Sequence, residues 1–187
     1  MTTHIIVPEG LAATDSHPEE TFYLSDYFEA VLQQVLKATS PTDTIIITPG
    51  NAFEYPHSEE EYATFYLKQR QPELQVKTVS EIQDCPYLDT FDNARLLRKY
   101  LQKQDIIVTH PIILYCNAPH CLRSWAMFRL CGFNIKQVIG CRPQQTQRPI
   151  VPRLWFYNYL PIQYLYECAA FVYDLCRWIL WKKRGSL

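Results

Sequence analysis

His120 and Arg123 stand three positions apart, just after an apolar β-branched run through Ile112, Ile113 and Leu114. Residues i and i+3 share a helix face, so an imidazole and a guanidinium project together from the first turn of a helix. That turn follows Cys116 and Asn117, at the carboxyl end of a strand, where open α/β sheets bind their ligands. A titratable ring beside a permanent cation suits the binding or processing of an anion, with Arg123 as a bidentate clamp and His120 as general acid or base.

Other polar residues fall at equivalent places. Glu9 and Gly10 follow the first apolar run, Gly50 and Asn51 follow the second, and acidic residues from Asp84 to Asp89 follow the third. In a parallel sheet these tips meet along one edge, which nominates a composite site. Its ligand-binding members are Gly50, Asn51, Glu59, Asp89, Thr90, Asn93 and Asn117, with His120 and Arg123 as the catalytic pair. His57 and Glu9 are secondary candidates. Each also has a plainer role: Asp89 or Thr90 caps a helix, Glu59 interacts with a helix dipole, and Gly50 supplies a positive φ. Cys116, His120 and Cys121 match no standard zinc spacing, so no metal is expected. No nucleophile elbow, Walker sequence or full G-x-G-x-x-G is present.

The elements that must position these residues alternate. Strands are expected at 4–8, 44–48, 75–79 and 134–139, with one extended segment over 105–116 that Pro111 would interrupt. Helices are expected at 19–38, 58–68, 90–102 and 119–130, the last stopped by Cys131-Gly132. Strands spaced by single helices build a mainly parallel sheet of about five strands, covered on both faces: a three-layer α/β/α sandwich. The 187 residues fit one domain, with residues 142–159 as a connector and 160–182 as a long aromatic helix packed on it.

Composition narrows the function. The chain is 48% hydrophobic and 20% charged with a net charge of −1, so no basic field exists to hold nucleic acid. Seven cysteines without a C-x-x-C pair, and no export signal behind Met1, are expected of a cytoplasmic protein with reduced thiols.

Asp89-Thr90-Phe91-Asp92-Asn93-Ala94 resembles the T-x-x-N-A element of the YdcF/SanA/ElyC-like family. His120-Cys121-Leu122-Arg123, trailed by Phe128 and Gly132-Phe133, is similar to that family's H-x-x-R-A helix and F-x-x-x-G. Thr48-Pro49-Gly50 with Ser58-Glu59 resembles its S-G-G…S-E-A element. The match spans about residues 43 to 140 with the elements in order. It departs at Pro8-Glu9-Gly10 and Gly50-Asn51, which replace glycine clusters, and at Asp84 and Tyr87. The resemblance implies a Rossmann-like sandwich linked to envelope or polysaccharide metabolism. The ligand expected in such a crevice is a small phosphate-bearing or nucleotide-like molecule; a nucleoside compound such as S-adenosylmethionine also fits. The rival expectation is a non-catalytic sensor or scaffold.

In the last helix, Tyr164, Cys168, Phe171, Val172, Leu175 and Ile179 recur at helical spacing. Glu167, Asp174 and Arg177 interrupt it, against a membrane span. The Phe171/Leu175 face is expected to be buried on the sheet or a second subunit, the acidic residues being repelled by an anionic surface. Peripheral contact with the inner membrane face is the alternative, through Trp178, Trp181 and Lys182-Lys183-Arg184.

Overall fold

Three consecutive isoleucines, Ile45, Ile46 and Ile47, contain the logic of the sheet. Successive strand residues point to opposite faces, and Ile45 and Ile47 enter one core cluster while Ile46 enters another. Both faces are therefore covered. The computed structural model describes residues 2–13, 23–79, 87–104 and 110–185. Its five strands are β1 (Thr3–Ile6), β2 (Thr44–Ile47), β3 (Gln75–Thr78), β4 (Ile112–Asn117) and β5 (Ile135–Cys141). They form one sheet of order β3-β2-β1-β4-β5, and every pairing is parallel.

On one face lie α1 (Asp26–Ala38) and α2 (Glu59–Arg70); on the other lie α3 (Thr90–Lys103) and α4 (Cys121–Leu130). Helix α1 buries Phe28, Val31, Leu32 and Val35, an i, i+3, i+4, i+7 stripe. It begins at Asp26, later than expected, because the Ser25 hydroxyl accepts from Phe28 N at 3.1 Å and caps it there. The expected helical start at residues 19–22, Asp84 and the expected extended segment at 105–109 lie outside the described residues. Pro111, lacking an N–H, stands just outside β4. Helix α4 ends as expected. Phe133 N donates to Phe128 O and Gly132 N to Arg129 O, with Gly132 at φ +88° and the Phe128 and Phe133 rings in contact.

The connector is anchored rather than loose. Arg148 pairs with Asp26 and Glu29 of α1, and the 3-10 stretch Pro152–Asn158 buries Leu154, Phe156 and Tyr157. Helix α5 (Leu160–Lys183) then lies against α3 and α4.

Candidate functional site

The strand order reverses between β1 and β4, the place where such sheets open a crevice at their carboxyl ends. Glu9 leaves β1 there. Its Oε1 accepts from Asn117 N at 2.7 Å and from His120 Nδ1 at 2.8 Å, and its Oε2 accepts from Tyr157 Oη at 2.9 Å. With Nδ1–H given to Glu9, a neutral His120 presents Nε2 as an acceptor, 2.6 Å from Thr90 Oγ1 at the start of α3. The result is a buried carboxylate–imidazole–hydroxyl chain drawn from three elements. Burial pulls the His120 pKa down; the Glu9 and Glu167 carboxylates oppose it and leave it above the ordinary histidine value.

Around this chain stand the other expected residues. Asn51, Glu59, Asp89, Thr90, Asn93, His120 and Arg123 all border one cavity of about 40 Å³. Asn51 is locked by Leu88, whose N–H donates to Oδ1 at 2.7 Å and whose carbonyl accepts from Nδ2 at 3.2 Å. The amide orientation that satisfies Asn93 aims its nitrogen at Asp89 O and Pro49 O, 3.2 and 3.0 Å away. Asn117 contributes its backbone N–H, and its buried Nδ2 has no hydrogen-bond partner among the described residues.

The backbone amides at the strand tips are already taken. Gly10 N donates to Glu59 Oε1 at 2.6 Å, Asn51 N to Glu59 Oε2 at 2.7 Å, and Gly50 N to Glu60 Oε2 at 2.8 Å. With Glu9 on Asn117 N, the chain's own carboxylates sit where a bound anion would be cradled. Gly50 is glycine for closeness, not for a positive φ. A Cβ there would stand 2.6 Å from Glu59 Cβ and 2.8 Å from Glu60 Oε2, and its φ is not among the positive ones.

Arg123 is also engaged. Its Nε and Nη2 donate to the two Glu167 oxygens at 2.6 and 3.0 Å, and its Nη1 to Asp174 Oδ2 at 3.3 Å. The bidentate fork expected for a ligand is thus formed with α5. Arg177 of α5 pairs with Asp89 and Asp92. A second cavity of about 270 Å³ opens between α3, α4 and α5, walled by Tyr87, Tyr166 and Tyr173 with Arg123 and Arg177. It shares Tyr87, Asp89, Arg123 and Tyr166 with the inner cavity.

Sequence reasoning ranked Glu9 low and missed Tyr157, Glu167 and Asp174. The signal for the last two was their seven-residue spacing, which places both on the buried stripe of α5. His57 stays outside the site, half exposed and 3.6 Å from Glu61. Cys116 is fully buried, and its hydrogen bond to Cys121 and its burial push the thiol well above its usual range. Among the described residues no three His, Cys, Asp or Glu side chains are grouped to hold a metal ion.

Burial pushes the Glu59 carboxyl up to about 7 against the pull of the Asn51 and Gly10 amides. The folded pKa thus exceeds the unfolded value of 4.5. The folded state holds this proton more tightly, so its contribution is complete below 4.5 and is lost as pH rises to about 7. Urea unfolding across this window should show wild type losing up to about 3 kcal/mol relative to Glu59→Gln. Wild type gaining stability relative to Glu59→Gln as pH rises would instead mean that the amides hold Glu59 ionised.

No family model matches this chain, and no curated protein does. One solved structure is similar to it: E. coli tRNA N6-threonylcarbamoyladenosine dehydratase, TcdA, in complex with AMP. The alignment covers 98% of this chain and 88% of that one, at 11% identity and a TM-score of 0.31, too loose to carry an argument about ligand or reaction. The parallel sheet, its strand order and its helical cover define a Rossmann-like α/β protein with a polar crevice at the switch point.

Proposed function

We propose that the crevice binds a small phosphate-bearing or nucleotide-like molecule and performs hydrolysis or group transfer on it. The carrying observation is the Glu9–His120–Thr90 chain beside the inner cavity. Glu9 fixes the tautomer and balances the charge of an imidazolium. Nε2 accepts the proton of an attacking hydroxyl as its oxygen bonds to the transferred group, and returns that proton to the leaving-group oxygen as the bond to it breaks. Thr90 Oγ1 holds that position; a substrate hydroxyl or water takes its place when the ligand binds. The outer cavity supports the ligand class. Its tyrosines offer faces for a flat ring, and Arg123 already holds a planar anion, Glu167, in bidentate geometry. Ligand entry requires the α5 carboxylates to yield. The motif resemblance to the YdcF/SanA/ElyC-like family, and through it to envelope metabolism, belongs to the same proposal.

One observation favours a second reading, a non-catalytic sensor or scaffold: Glu9, Glu59 and Glu60 occupy the amides that would otherwise cradle a phosphate. Thermal stabilisation across nucleotides, sugar phosphates and S-adenosyl compounds separates the two. A true ligand at a hundred times its dissociation constant adds about 2.7 kcal/mol. For that ligand, Arg123→Lys should weaken binding, since lysine cannot reproduce the planar fork. His120→Ala should reduce turnover more than affinity. No stabilisation by any compound would leave the sensor or scaffold reading.

A further inference from the structure

The long last helix is built inside out. The fully buried residues of α5 are Gln163, Glu167 and Asp174, all polar, while its exposed residues include Ile162, Leu165, Val172, Ile179 and Leu180. Leu165 is 71% exposed and Val172 60%. Phe171 and Leu175, expected to be buried, are only partly so, and Trp178 and Trp181, expected as membrane anchors, instead pack inward with Phe171 against the core. The reason is electrostatic: Arg123 draws Glu167 and Asp174 inward, and Asp89 and Asp92 draw Arg177, which turns Leu165, Val172 and Ile179 out while Phe171, Trp178 and Trp181 stay against the core. The acidic groups expected to repel an anionic surface therefore face away from it.

We propose that this outward face docks on an anionic lipid surface, with α5 lying along the interface. At 3.6 residues per turn the exposed arc covers about half the helix, wider than the narrow seam of a coiled coil. It carries no carboxylate, and it ends in exposed Lys182, Lys183 and Arg184. A second copy pairing through the same face would bring no acid to that basic end, whereas anionic headgroups would. Tyr159 and Trp155, exposed just before α5, have the apolar body and polar tip that suit the headgroup boundary. No helix among the described residues is long and apolar enough to cross a membrane, so this is surface contact. The inference is independent of the crevice chemistry.

The test is co-sedimentation of the full chain with phosphatidylcholine vesicles, with and without phosphatidylglycerol, at low and high salt, alongside light scattering for oligomeric state. Binding should need the anionic lipid and weaken with salt. Leu165→Ser with Val172→Ser should abolish it while leaving the melting temperature unchanged, because both side chains are exposed. Lys182→Gln, Lys183→Gln and Arg184→Gln together should weaken it roughly a hundredfold, at about fivefold per basic residue. Absence of binding to anionic vesicles, or binding indifferent to the Leu165/Val172 pair, overturns the proposal. So does a concentration-dependent dimer that this pair disrupts in a protein that ignores vesicles.

Discussion

Arg123→Ala should cost about 3–5 kcal/mol of stability, the loss typical when one partner of a buried ion pair is removed. Arg123 is 6% exposed, and its partners Glu167 and Asp174 are 5% and 0% exposed. Without it, two carboxylates of α5 remain buried without their direct ion partner, and Arg177 acts on Asp174 without a direct pairing. Burial already pushes Asp174 up to about 6, and its Oδ1 has no hydrogen-bond partner among the described residues. The variant should take up a proton there rather than hold both charges. α5 should also loosen, since Arg123 joins it to α4, and limited proteolysis should cut within it sooner. Replacing all three together, Arg123→Met with Glu167→Met and Asp174→Leu, should recover much of the loss, because well-packed apolar groups substitute for buried ionic clusters at little cost. Urea unfolding of the single and triple variants measures this directly. A loss below about 1 kcal/mol for Arg123→Ala would place the pair among exposed salt bridges and undo the account of why α5 is turned inside out.

The fold was legible because its cause is local. The Ile45–Ile47 run, the stripe at Phe28, Val31, Leu32 and Val35, and the Cys131-Gly132 stop follow from periods of two and 3.6 and from glycine's freedom at positive φ. The placement of Asn51, Glu59, Asn93 and His120 on one edge was legible for the same reason, since parallel strands bring their tips together. What stayed hidden depends on partners distant in sequence. Glu9 looks unremarkable between Pro8 and Gly10, and only Asn117 and His120, 108 and 111 residues away, make it the centre of the site. Arg123 looked available to an anion because Glu167 and Asp174, 44 and 51 residues on, seemed mere interruptions of an apolar helix. Pattern counts which residues are apolar; it does not say which face a buried cation will claim.

Glu9 offers the sharpest separation of structure from chemistry. Glu9→Ala leaves Asn117 N, His120 Nδ1 and Tyr157 Oη without their acceptor in a buried place, at roughly 1–3 kcal/mol for each donor left unpaired. With three donors stranded, a total loss of at least about 3 kcal/mol is expected. Glu9→Gln is different. Its oxygen can still accept from Asn117 and His120, and its amide nitrogen can donate to Tyr157 once that hydroxyl turns. The fold should survive, but the charge that raises the His120 pKa is gone and burial then acts with less opposition. NMR titration of the imidazole should show His120 above 6.5 in wild type and clearly lower in Glu9→Gln. The sign follows from linkage. A raised folded pKa stabilises wild type fully below about 6.5, and this contribution fades as pH rises through the folded value. The stability gap between wild type and Glu9→Gln should therefore be widest in acid and narrow with rising pH. An unchanged His120 titration in Glu9→Gln would show that Glu9 does not govern the imidazole and would remove it from the acid–base chain.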